Sequence, residues 1–261
     1  MRCSRPPVKS MQYHIDTIPV WDALRSGSGC LFCTLRASLE IKAVDYYLGG
    51  SVMEPDIRIK VNEKGFCSHH HLLLSEQKNK LGHALMMLSH TDEVLSALEQ
   101  LSSSGLNSAA KKPLFRVLKA SRAPEQSSSR VSDALSALSS SCVICDDIQE
   151  NMDRYAYTFM HLYKNDTAFR KEFSASSGVC LPDAVFLINA AEKHLAADRY
   201  NELTSLLISK LKENLAQTRA DLEYFTQKFD YRNADKPWGN SRKALERTVN
   251  LLQGRCYDTE K

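Results

Sequence analysis

Cys30-Leu31-Phe32-Cys33, followed later by Cys67-Ser68-His69-His70, is the stretch from which the rest of the chain can be read. A second copy of the same design follows as Cys142-Val143-Ile144-Cys145 and Cys180-Leu181-Pro182-Asp183. Between the first CxxC and Cys67 lie 33 residues, and between the second and Cys180 lie 34. The first cysteines of the two pairs are 112 positions apart and the late cysteines 113. A register held to one residue over that distance reads as an internal repeat. A CxxC turns two thiolates toward one ion, and a residue three positions after a third cysteine at a helix start closes a tetrahedron. The linear reading is a Cys3His site of Cys30, Cys33, Cys67 and His70, and a Cys3Asp site of Cys142, Cys145, Cys180 and Asp183. Carboxylate oxygen is a less usual partner of three thiolates than imidazole, so the second site is expected to be the weaker.

The rest of the composition narrows the class. The 34 basic and 31 acidic residues leave a formal charge of +3, with no basic stripe, which argues against nucleic acid as the partner. Two CxxC pairs and no signal-like segment favour metal ligation in a reducing cytoplasm over a disulfide framework. No apolar run approaches the ~20 residues of a membrane span. Zinc is the expected ion at both sites, and an iron–sulfur cluster is the alternative.

In chain order, residues 1–10 are expected to be a disordered tail, with Met11 a plausible start and Cys3 given no role. The first repeat spans 11–101. In it, His14 and Asp16 have no accompanying nucleophile, so the reading is a segment packing Ile18 and Trp21 on the core, with Pro19 in a first helical turn. Leu35, Leu39, Ala43, Tyr46 and Tyr47 recur at helical spacing up to Gly49-Gly50. Residues 51–65 read as a short strand or a loop, and a helix is expected from Cys67 through Leu88. Of the three histidines, His70 matches the spacing, while His69 and His71 read as solvated.

Residues 102–141 form a serine-rich linker. Its basic residues (Lys111, Lys112, Arg116, Lys119, Arg122) read as solvated. The second repeat, 142–197, carries the stripe Ile144, Ile148, Met152, Tyr155, Phe159, Leu162. A long helix from near Asp198 and a C-terminal cap make up 198–261, with the helix expected to brace both repeats. Its loop bears Arg232, Lys236 and Trp238 as a cationic, aromatic lip, against the simpler reading that Trp238 and Tyr231 pin the loop and Asp230 pairs with Arg232. Cys256 reads as incidental. The fold class is all-α: two pseudo-repeated helical metal knuckles joined by a linker.

The strings YHIDTIPVWDAL, SVMEPDIRIKVNEKGFC, EQKNKLG and KFDYRNADKPWGNS resemble a bacterial domain-of-unknown-function family, numbered 6062, common in Gram-positive anaerobes. The resemblance covers about Met11 to Gly254. It implies the CxxC…CxxH layout twice, met here at Cys30, Cys33, Cys67, His70, Cys142, Cys145 and Cys180. Asp183 departs from the histidine that the pattern implies. No activity comes with the resemblance. The functional expectation is therefore a zinc-stapled helical scaffold for an unidentified macromolecule, most simply a protein. A redox sensor built on iron–sulfur or reactive thiols is second, and a metal-dependent enzyme third, since P-loop, HExxH and GxSxG motifs are all missing.

Overall fold

The computed structural model describes residues 12–27, 29–103, 127–233 and 235–255. Among these the chain is all-α, with eleven α-helices, three short 3-10 turns and no strand. No described helix is long and apolar enough to cross a membrane. The 104–126 part of the serine-rich segment, with its basic residues, and the positions of Cys3, Met11 and Cys256 lie outside the described residues, as does the side chain of His14.

The chain forms two compact units, residues Met1–Leu39 with Gln149–Lys261 and residues Glu40–Ile148. The first is discontinuous in sequence. It holds α1 (Gln12–Arg25), the start of α2 (Leu31–Leu48), most of α7 (Val143–Asn165), α8 (Thr167–Ala175), α9 (Leu181–His194), α10 (Ala197–Gln227) and α11 (Ala244–Gln253). Its core is aromatic. Phe159 meets Phe169 at 5.2 Å and Phe173 at 4.9 Å, both edge to face, and Phe32 at 5.7 Å. Such geometry sets the electropositive ring edge on a neighbour's electronegative face. Asp166, between α7 and α8, caps α8 by accepting from the amides of Ala168 and Phe169, which aims both phenylalanines of that short helix inward. The 31-residue α10 buries Leu203, Leu207 and Leu211 and packs on α9 and α11.

The second unit holds the rest of α2, α3 (Pro55–Lys64), α4 (Ser68–Glu76), α5 (Lys80–Ser103), α6 (Ser127–Ser140) and the start of α7. Val44, Tyr47, Val52, Val61, Phe66, Leu74 and Met86 fill its core. Residues 51–65 are neither strand nor loop. A 3-10 turn (Gly50–Met53) leads into α3, which Pro55 opens in its first turn and Gly65 closes. The alternation of Ile57, Ile59 and Val61 misleads, because Val61 is buried while Ile59 is exposed. The expected helix from Cys67 to Leu88 is two helices. Asn79 interrupts it, accepting from the Gly82 amide at α5 and donating to the Leu48 carbonyl.

Two local readings of the first unit also change. Pro19 lies inside α1, which begins at Gln12, and Ile18 is 59 % exposed. Val20 and Ala23 are buried instead, and Trp21 meets Phe169 edge-on at 5.1 Å.

Candidate metal centres

All four cysteine-bearing turns have the same local build. Cys30 and Cys142 stand immediately before α2 and α7, and Cys33 and Cys145 sit in the first turns. Cys67 and Cys180 are the N-caps of α4 and α9. In each case the leading cysteine's carbonyl accepts the first helical bond, from the amide of Thr34, Asp146, His71 or Ala184. Each sulfur is thereby held at the positive end of a helix, where a thiolate is favoured.

The partners differ from those expected. The clusters are Cys30, Cys33, Cys180 and Asp183, within the first unit, and Cys67, His70, Cys142 and Cys145, within the second. The linear pairing of Cys30 and Cys33 with Cys67 and His70, and of Cys142 and Cys145 with Cys180 and Asp183, is therefore corrected. Each CxxC joins the late pair of the other stretch. The reason is reach. From Cys30 the 18-residue α2 carries the chain about 27 Å, and the 10-residue α3 recovers at most about 15 Å of it. In the second stretch the 23-residue α7 covers about 34 Å and the nine-residue α8 about 14 Å. Neither outward helix is matched by a return of equal length.

Backbone contacts away from the sulfurs agree. The Val143 amide donates to the Gly65 carbonyl and the Ser141 hydroxyl to the Lys64 carbonyl, tying the approach to Cys67 to the start of α7. In the other unit the Ser177 hydroxyl donates to the Gly29 carbonyl, tying the approach to Cys180 to that of Cys30.

In the Cys3Asp cluster one carboxylate oxygen, Asp183 Oδ2, lies 3.0 Å from Cys30 Sγ and 3.2 Å from both Cys33 Sγ and Cys180 Sγ. Cys33 and Cys180 are 3.6 Å apart. The other oxygen, Oδ1, accepts from Arg36 Nη2 at 2.9 Å. In the Cys3His cluster His70 Nδ1 lies 3.2, 3.3 and 3.4 Å from the sulfurs of Cys67, Cys142 and Cys145. Cys67 and Cys145 are 3.8 Å apart. A tetrahedral zinc with bonds of about 2.3 Å to sulfur and 2.0 Å to nitrogen or oxygen sets sulfurs about 3.8 Å apart and sulfur about 3.5 Å from the fourth ligand. Both clusters match that tetrahedron closely, the carboxylate one being slightly tighter.

Protons are unevenly shared. In the first cluster, hydrogen bonds from Cys180 and Cys30 hold the Cys33 thiol far below its ordinary range, to about 2, while bonds to Cys180 and Cys33 push Cys30 up. Hydrogen bonds from the neighbouring thiols thus favour one thiolate in this cluster, the form of cysteine that a cation would bind. In the second cluster burial drives Cys145 up; burial also raises Cys67, but the His70 amide and the neighbouring thiols outweigh it and leave Cys67 lowered. Burial lowers His70, which keeps its imidazole neutral and able to ligate.

His70 is 3 % exposed, and its Nε2 makes no well-formed hydrogen bond. That nitrogen lies 3.4 Å from Glu40 Oε1, which accepts from His69 Nε2 at 2.8 Å. Of the flanking histidines, His69 is exposed as expected. His71 is half-buried, stacked on His83 with Nδ1 3.1 Å from its Nε2.

Arg36 and Glu40 escaped the sequence reading. The signal was present, as they follow Cys33 by three and seven residues on one helix. Nothing in their spacing distinguishes them from ordinary surface charges, though. The C-terminal loop follows the simpler reading in part. Arg232 pairs with Asp230, and Trp238 packs on Phe225 at 5.8 Å, but Tyr231 is 86 % exposed and pins nothing.

Gly65 sets the path into Cys67. Its φ of 62° and ψ of −154° lie in a region open essentially to glycine alone, and a Cβ there would stand 2.5 Å from His90 Nε2. Gly65→Ala is expected to destabilise the protein by about 1–3 kcal/mol and to weaken metal uptake by the Cys3His cluster. Denaturant melts with metal analysis check this; an unchanged midpoint counts against it.

Fold and site together define a class: an all-helical protein with two four-ligand, thiolate-rich clusters of metal-binding geometry. The chain belongs to the family of unknown function DUF6062, whose profile matches residues 11–259. No curated protein and no solved structure matches it.

Proposed function

We propose that the protein is a zinc-stapled helical scaffold of the cytoplasm, whose two four-ligand centres are structural and whose helical surface engages another protein. One observation carries this reading: each cluster supplies four ligand atoms at the separations of a single closed tetrahedron. Structural zinc sites are closed in this way, whereas catalytic ones keep a position for water. The spacing also speaks against an iron–sulfur cluster, in which the four protein ligands are divided among two or more irons and spread as a set wider than one tetrahedron. The six described cysteines are free thiols, as zinc ligation in a reducing compartment requires.

A second reading rests on Cys145, which is exposed and lies 3.8 Å from Cys67. A peroxide could take two electrons from such an accessible thiolate pair, being reduced to water as a Cys67–Cys145 disulfide forms and the ion is released, which would make the Cys3His centre a redox sensor. Metal analysis by mass spectrometry, with an absorbance spectrum, on anaerobically purified protein before and after mild hydrogen peroxide separates the readings: a scaffold keeps both ions, whereas a thiol sensor loses one as Cys67 and Cys145 form a disulfide. Two zinc ions per chain and no colour are expected. Iron with visible absorption would put redox chemistry first, and a metal-free, fully folded chain would remove both.

A further inference from the structure

We infer that Arg36 is the positioning residue that allows Asp183 to serve as a metal ligand, the two side chains together standing in for a neutral histidine. This rests on the metal reading above and deepens it. Asp183 is 1 % exposed and faces three sulfurs with a single oxygen. Three thiolates and a carboxylate bring four negative charges to a buried site, and a divalent ion leaves two. Three thiolates and an imidazole leave one. The guanidinium of Arg36, bonded to the free oxygen of Asp183 at 2.9 Å, removes the surplus charge.

The same contact fixes the geometry. Bound to Arg36 through Oδ1, the carboxylate presents only Oδ2 to the thiols, so it serves as one ligand and the site stays four-coordinate. Buried charge that is left unpaired is strongly unfavourable, and a planar guanidinium is suited to hold a carboxylate oxygen from one side. Arg36 stands one helical turn beyond Cys33 on α2, and its side chain is 44 % exposed. The guanidinium therefore remains partly hydrated while it meets the buried carboxylate.

The test is a chelator-competition titration with Zn(II) on the full-length chain, with the Cys3His centre as internal control. Arg36→Met keeps the apolar stem and removes the charge. It is expected to weaken one of the two zinc ions by 10–100-fold and leave the other unchanged. In the Arg36→Met background, Asp183→His is expected to restore most of that loss, since an imidazole needs no counter-cation. A purely structural ion pair would lower the melting temperature without moving zinc affinity, and would show no such rescue. Unchanged affinity in Arg36→Met, or a double variant that binds no better than the single one, overturns the inference while the metal reading stands. A wild-type chain that takes up no zinc overturns both.

Discussion

Serine at Cys30 and serine at Cys180 are expected to remove the same metal ion. Each single variant should retain one ion of two, and the Cys30→Ser/Cys180→Ser double variant should also retain one. Cys30→Ser/Cys67→Ser should retain none, because its two losses fall in different clusters. A pairing along the sequence would reverse the two double variants. Metal content by mass spectrometry on reconstituted proteins decides between the outcomes. The stability cost should be large, since structural zinc contributes on the order of 10–16 kcal/mol of apparent binding free energy. An exposed serine substitution elsewhere costs within about 0.5 kcal/mol. Each loss should be non-additive within a cluster and additive between clusters.

Chelation should likewise lower the melting temperature steeply, and in two stages. Each centre has one half-buried cysteine, Cys67 or Cys30, and two further buried ligands; they differ in that Cys145 of the Cys3His centre is exposed whereas Asp183 of the other is buried. A competing chelator is therefore expected to reach an ion held by the Cys3His centre first. Thiol labelling during the titration, mapped by peptide mass, should mark Cys67 and Cys145 before Cys33 and Cys180. Labelling of Cys180 first, or melting indifferent to chelator, would refute this order.

Acid should act in the same direction. Ligating thiols must be deprotonated, so protons compete with the ion and metal-linked stability falls as the pH falls. His70 adds to this with the same sign. Its folded-state pKa lies below its unfolded value, so its contribution is full above the unfolded value and is lost as the pH drops through the folded one.

The residues of the two clusters that could hold a metal ion were legible from spacing, as was the meeting of two helix starts at each. Their assignment to partners was not. A CxxC constrains sulfurs three residues apart, but it carries no information about which distant helix start will meet it. That depends on how far the intervening helices carry the chain, and an 18-residue helix answered by a 10-residue one does not return to its origin. Arg36 and Glu40 were hidden for a related reason. A charged residue on a helix becomes part of a site only when another element brings a buried group to it, as α9 brings Asp183 to Arg36. Residues 51–65 show the opposite failure: the alternation of three β-branched residues and Pro55 leave strand and loop equally open, whereas Pro55 and Gly65 are the start and stop of a helix.

By itself the sequence determined the all-α class and most of the helices, α3 excepted, through apolar residues at three- and four-residue steps, and the candidate ligand types, through two CxxC pairs and two late cysteines. Tertiary structure alone decided the pairing, crossing the two stretches so that each compact unit holds one complete tetrahedron. Local chemistry is written in short spacings because hydrogen bonds and turns act over a few residues. Which distant spacings meet is set by helix length and by the packing of buried faces, which no short motif records.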